Sequence, residues 1–203
     1  MNKLLEKLRA NNIQGYVAHN SEEAKKIALE LIPMEATIAM GNSLTLRETG
    51  IFDALITGDY KVINQFAIGI SAEENLKRRK LAFLADVYFT GTNAVTLEGE
   101  LVNIDGKGNR VAAMMFGPDK VIVITGKNKI VRDRPDAWKR LQEKTAPALA
   151  RKLGRSTPCA TTGVCVNCNS PERICRCYTV IGSQMPADKN RIHVIIVDED
   201  LGI

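Results

Sequence analysis

The sequence predicts an α/β fold: a mainly parallel sheet with helices on both faces, plus a cysteine-rich, metal-binding segment toward the C-terminus. Three observations predict it. Short apolar runs alternate with helical patterns along the chain. The runs ATIAM at 36–40, KVIVIT at 120–125 and RIHVIIV at 191–197 are apolar nearly throughout, as strands buried on both faces are. All five cysteines fall between Cys159 and Cys177. We therefore divide the chain into an α/β ligand-binding part, residues 1–155, and a cysteine-rich segment, residues 156–203, whose terminal strands return to the same domain.

In order, residues 2–10 read as an amphipathic helix with Leu4, Leu5 and Leu8 on one side. Gln14 to His19 reads as a strand. Asn20-Ser21 then supplies an N-cap for a helix reaching Leu31, with Glu22 and Glu23 in the first turn, where the helix dipole favours them. Pro33 stops that helix, and the strand Ala36 to Met40 opens directly into Gly41-Asn42-Ser43-Leu44-Thr45-Leu46-Arg47-Glu48. Helix continues through Asp53 to Ile56, strand occupies Lys61 to Asn64, and a helix from Ala72 to about Leu84 carries the basic run Lys77-Arg78-Arg79-Lys80. Asp86 to Phe89 climbs as a strand into Thr90-Gly91-Thr92-Asn93, and a hairpin folds at Glu98-Gly99. The loop Asp105 to Arg110 then leads into a helix. After the strand Lys120 to Thr125, residues 128–131 read as loop. Pro135 suits the first turn of a helix running toward Leu153, which Pro147 must kink or split. Strands at Tyr178 to Ile181 and Arg191 to Val197 close the chain, joined through Pro186-Ala187-Asp188. His193, in an alternating strand pattern, and His19, at a strand end, read as ordinary core or surface histidines.

Two polar turns follow strand ends, where open α/β sheets bind ligands. In the first, Gly41, Ser43, Thr45 and Arg47 offer a close backbone approach, hydroxyls and a helix start that attracts an oxyanion. Ser43 as a plain N-cap would explain a glycine and a serine equally well. The second comprises Gly91, Thr92 and Asn93 together with Asn103, Asp105, Gly106, Gly108, Asn109 and Arg110. Here Asn93 and Asp105 would orient hydroxyls, and Arg110 would pair with a carboxylate or phosphate. The expected ligand is a small anionic metabolite.

The chain's 203 residues suit one domain with a real core. A hydrophobic fraction of 45% and mean hydropathy of -0.10 belong to an ordinary globular protein. No apolar run approaches the ~20 residues that span a bilayer. The start MNKLLEKLRANN is too charged for a secretory signal, so the expected location is the cytoplasm. A net charge of +5 leans toward anionic ligands. The basic run reads as a solvated helix face, and an aromatic content of 5% disfavours a nucleic-acid platform. Self-association into a homo-oligomer is compatible with all of this.

Cys159, Cys165, Cys168 and Cys175 have the spacing C-x5-C-x2-C-x6-C, with Cys177 two residues further on. In a cytosolic protein such clustering points to metal rather than disulfides. Zinc commonly takes two paired C-x2-C knuckles, and only one is present. Uneven spacing within one short segment fits an iron–sulfur cluster somewhat better, a 4Fe–4S type among the options. Zinc stays open, and so does the role of Cys177.

The runs 41–48 (GNSLTLRE), 85–110 (ADVYFTGTNAVTLEGELVNIDGKGNR) and 157–176 (TPCATTGVCVNCNSPERICR) together resemble the LUD-domain family, the lactate-utilisation proteins, and within it the members with a C-terminal cysteine segment. The resemblance implies a fold like that of the ribose-5-phosphate isomerase and CoA-transferase superfamily. It also implies a part in oxidising lactate to pyruvate with iron–sulfur partner subunits. It assigns no catalytic residue. Isomerases of that superfamily tend to carry an acid where this chain has Asn93, an amide that cannot shuttle a proton. The competing expectation is a transferase or isomerase acting on a CoA ester or sugar phosphate. Asp105, Glu98 or Glu100 would then be the working carboxylate, and the cysteines a structural zinc site.

Overall fold

The computed structural model describes all residues from Met1 to Ile203. Its strands are β1 (Gln14–Ala18), β2 (Thr37–Met40), β3 (Lys61–Val62), β4 (Val87–Gly91), β5 (Ala94–Thr96), β6 (Leu101–Asp105), β7 (Lys120–Gly126), β8 (Ile130–Val131), β9 (Cys177–Ile181) and β10 (Ile192–Val197). Six of them form an all-parallel sheet in the order β1-β10-β7-β4-β2-β3. The other four form a smaller mixed sheet, β8-β5-β6-β9.

The apolar strands of the main sheet divide their side chains between two cores. Ile192, Val194 and Ile196 of β10 join α1 (Asn2–Ala10) and α6 (Asn109–Met115) in one. Ile195 and Val197 join α2 (Ser21–Glu30), α3 (Leu44–Glu48) and α4 (Ile51–Thr57) in the other. This is the two-sided burial that continuous apolar runs predict. The small sheet turns Leu101 toward the first core and Val102 and Ile104 toward α7 (Arg134–Arg140).

The C-terminal residues serve both sheets: β9 pairs with β6, and β10 lies in the main sheet between β1 and β7. Several local expectations are corrected. The helical stretch through residues 44–57 is broken at Gly50, whose φ of 68° no L side chain adopts easily. Strand at 61–64 shrinks to two residues, Lys61 and Val62. Within residues 128–131, Ile130 and Val131 pair with Val95 and Thr96 instead of forming loop, a strand too short to show any period. Pro147 sits in the first turn of α8 (Ala146–Lys152), and a π-helical turn, Leu141–Thr145, absorbs its missing N–H. Before the cysteine loop comes α9 (Pro158–Thr162), and α5 (Ala72–Leu81) ends in a 3-10 turn, Ala82–Leu84. No helix is long and apolar enough to cross a membrane.

Candidate functional site

The carboxyl ends of β2, β4 and β7 are adjacent in the main sheet, so the turns that follow them meet. A Cβ added at Gly91 would lie 2.7 Å from Ser43 Oγ, so glycine lets the two polar turns close on one another with that hydroxyl in place. Between them lies a cavity of about 320 Å³, lined by Ser43, Gly91, Thr92, Asn93, Asp105, Gly106, Asn109 and Arg110 from the two turns. The end of the chain, α8 and the cysteine segment complete it through Ile203, Leu149 and Ile174.

Five residues that the sequence groups with the site lie outside this lining. Gly41 sits behind it, where a Cβ would meet Tyr88 Oη, Thr90 Oγ1 and the Arg110 side chain at 3.0–3.3 Å. Thr45 is fully buried and accepts a hydrogen bond from Lys129 Nζ at 2.9 Å. Arg47 turns away onto Phe52, with its guanidinium carbon 3.8 Å from the ring centroid. Asn103 is fully buried as a scaffold. Gly108 starts α6 with φ 83°, beside Cys177 Sγ. The helix start after Ser43 is not an open anion cradle either. α3 has only five residues, and Ser43 Oγ already accepts from Leu46 N–H at 3.3 Å.

Arg110 is occupied in the same way. Its Nη1 donates to Asn103 Oδ1 at 2.7 Å and Gly91 O at 3.1 Å. Nη2 donates to Ile104 O at 2.8 Å and Asn93 Oδ1 at 3.3 Å, and Nε faces Asp105 Oδ2 at 3.4 Å. A guanidinium has five N–H donors, and all five are spoken for. Asp105 is engaged as well: its Oδ1 accepts from Lys107 N–H and Gly108 N–H at 3.1 and 2.9 Å. The loop at 105–110 thus builds the wall and leaves little for a ligand. Burial pulls the Arg110 pKa down, and Asp105 opposes that.

The groups that remain available are largely ones the sequence reading missed. Lys129, 5% exposed, is placed at the cavity by the 3-10 turn Lys127–Lys129 after β7. Its partner is a hydroxyl, not a carboxylate, and burial, with Arg140 adding positive charge, brings its pKa down to about 8. Arg79 turns into the cavity from the basic run, while Arg78 pairs with Glu74, so the run is not one solvated face. Lys107 and Arg155 stand exposed at the rim. Gln65 is 6% exposed. The signal for Lys129 lay in the polar turn that follows an apolar strand; for Gln65 there was none. Of the carboxylates weighed from sequence, Glu98 pairs with Lys7 and Glu100 with Arg134, both outside the lining.

The cysteines are all free thiols. Cys159 is buried at the start of α9, 3.4 Å from Thr157 Oγ1, and Cys175 packs against the core under α7. Arg173 holds the loop, donating to Cys168 O at 2.6 Å and Cys175 O at 2.9 Å. Four thiols suit a soft metal chemically. As folded, however, no three Cys, His, Asp or Glu side chains converge into a ligand set, so this conformation does not fit a bound ion or cluster. His193 is tied to Tyr16 Oη and Asn190 O, and His19 is exposed.

Among known families, the model of the LUD domain matches residues 1–197. No curated protein matches the sequence. Among solved structures, a DUF162 family protein from Deinococcus radiodurans superposes with a TM-score of 0.52 at 15% identity, covering 97% of this chain and 94% of that one. Ribose 5-phosphate isomerase from Plasmodium falciparum is more distant, with 21% identity, a TM-score of 0.33, and 54% and 51% of the two chains covered. The enzyme of that name from Neisseria gonorrhoeae gives 16%, 0.35, and 66% of each chain. At these distances the first likeness speaks to fold alone, and the isomerases do not bear on this chain's chemistry.

Proposed function

The chain belongs to the LUD domain family, the lactate-utilisation proteins, and from that premise we propose that it binds a small organic acid at the carboxyl edge of its main sheet. In this reading it takes part in the oxidation of lactate to pyruvate beside iron–sulfur partner subunits. The observation that carries the reading is the charge of the cavity. Its lining holds the cationic side chains Arg79, Lys107, Arg110, Lys129 and Arg155 against one acidic side chain, Asp105, which Arg110 already neutralises. The remaining cations surround a space that suits a ligand of a few heavy atoms.

The carboxylate of the acid sits against Lys129, whose ammonium has no anionic partner of its own, with the Ser43 hydroxyl beside it. Leu149, Leu153 and Ile174 face the carbon skeleton and thin the water around the charge pair, which strengthens it. Oxidation withdraws a pair of electrons, which this reading assigns to the partner subunits. Binding and orientation fall to this chain, and no step passes through its cysteine segment. An isomerase or transferase reading finds little support. The one acidic side chain in the lining, Asp105, has both oxygens engaged, and its neighbour Asn93 is an amide.

Titration calorimetry with L-lactate, pyruvate and the neutral analogue lactamide tests the proposal. The acids bind and the amide does not. Equal binding of acid and amide, or none of either, overturns it.

A further inference from the structure

The leucines of α5 point away from the protein. Its inward side is polar: Asn75 Nδ2 donates to Gln65 O at 2.6 Å, Arg78 Nη1 donates to Asn64 O at 2.7 Å, and Arg79 turns into the cavity. No residue of α5 is buried. On the outward side Leu76, Leu81 and Leu84 are 50%, 39% and 79% exposed, the last of them in the 3-10 turn that ends the helix. Surface helices ordinarily face the other way, with the apolar stripe against the core. Phe116, 84% exposed at the end of α6, extends the patch. It is brought there by Gly117, which packs so closely on the same 3-10 turn that a Cβ would meet Phe83 O at 2.7 Å. A lone exposed leucine is unremarkable, whereas large apolar side chains gathered on one side mark a surface that something covers.

Charge indicates what covers it. Lys77 and Lys80 stand exposed among the leucines. The acids of the helix, Glu73 and Glu74, are confined to its first turn, and Glu74 is paired with Arg78. Asp119, three residues past Phe116, lies close to the Arg191 guanidinium. The patch is thus apolar and basic, most of all toward Leu84. A second copy of this face is a poor match: antiparallel pairing of two such helices that sets Leu76 against Leu81 also sets Lys77 against Lys80. A layer of anionic lipid headgroups suits both properties. Its negative charge is spread over the plane and meets the lysines at any spacing, while leucine and phenylalanine side chains sink to the acyl boundary and lysine stems reach back to the headgroups. We propose that the outer side of α5, together with Phe116, is a peripheral docking surface for an anionic membrane. Leu84 and Phe116 precede β4 and β7, so they lie at the amino edge of the main sheet, and the cavity lies at the carboxyl edge. Docked this way, the protein keeps its cavity at the edge far from the lipid. Docking is independent of which acid that cavity holds.

Flotation of the full chain with vesicles of phosphatidylcholine alone, and of phosphatidylcholine with phosphatidylglycerol in equal parts, tests it. The chain should float with the anionic vesicles, stay behind with the neutral ones, and come off as salt is raised, because screening shortens the reach of the lysines. Leu84→Glu and Phe116→Glu should each weaken binding to the anionic vesicles by about tenfold or more. Lys77→Gln and Lys80→Gln should weaken it by about fivefold each. All four side chains are exposed, so the unfolding midpoint should hold in every variant. No binding to anionic vesicles, equal binding to both kinds, or binding that all four variants retain overturns membrane docking. Sedimentation velocity covers the other occupant: a dimer that Leu84→Glu dissolves, in a chain that ignores vesicles, assigns the face to a second copy and overturns the proposal.

Discussion

The two polar turns at the sheet edge look alike in the sequence, each a glycine-bearing loop with hydroxyl, amide and charged residues, yet they spend those groups differently. The loop at 105–110 spends nearly all of them on itself: Arg110 fastens Gly91, Asn93, Asn103, Ile104 and Asp105 into one wall. The Ser43 turn spends its hydroxyls as well, on the start of α3 and on Lys129, but it is met there by that lysine, a cation from another element with only a hydroxyl for a partner. The difference teaches that polar density does not measure ligand capacity. What counts is the number of donors and acceptors left over once the fold has been satisfied.

The sharpest way to break this contrast is at Arg110. Arg110→Met should lower stability by about 3–5 kcal/mol, as removing one member of a buried, hydrogen-bonded charge network does. It takes the cation away from the Asp105 carboxylate, which Arg110 faces at 3.4 Å, and removes one donor from each of Gly91 O, Asn93 Oδ1, Asn103 Oδ1 and Ile104 O. Denaturant unfolding measures the loss. An Arg110→Met protein of normal stability that had lost only ligand affinity would make Arg110 a binding residue and erase the difference between the turns.

Lys129→Met should do the reverse, costing about tenfold or more in affinity for an organic acid while leaving the fold intact. Its pKa, lowered from 10.5 to about 8, fixes the signs. The folded state resists protonating this amine, so between about 8 and 10.5 the unfolded chain binds more protons and stability rises with pH. At neutral pH the ammonium therefore costs stability, and Lys129→Met should not lower the unfolding midpoint. Acid binding, which uses the protonated amine, should be flat below pH 7 and weaken as pH climbs past about 8. In Lys129→Met that weakening should vanish, as calorimetry across the range would show.

Much of the fold was legible because the strands β4, β7 and β10 are apolar and two-sided, and α2 announces its start through Asn20, whose side chain caps it. Features shorter than a period were not legible: β8 has two residues, and the π-helical turn has a cause, Pro147, but no pattern of its own. At the site, the sequence identified which turns meet but not which side chains stay free, because that depends on partners far away in the chain. Lys129 contacts Thr45, 84 residues away, and Gln65 owes its fixed orientation to Met40, 25 away. A hydrogen-bond ledger is a property of the folded chain, and no local window contains it.

The mildest test concerns Arg47, which sits in the Ser43 turn by sequence and outside it in space. Its guanidinium lies over Phe52 at 3.8 Å from the ring centroid and over Phe66 at 5.8 Å, and those rings meet edge to face at 5.7 Å. The attraction of a cation for a ring face at an exposed site is about 0.5–1 kcal/mol, and Arg47→Ala should cost stability of that order. Arg47→Lys should recover part of it, since an ammonium keeps the charge but loses the flat stacking surface. Neither variant should change the affinity for an organic acid by more than about twofold, because a charge outside the cavity is screened by solvent. Phe66 does line the cavity, so a loss of affinity in Arg47→Ala that Arg47→Lys restores would show the stack setting the shape of the wall. In that case the Ser43 turn, too, would be spending its charge on structure, and the contrast between the two turns would narrow to Lys129 alone.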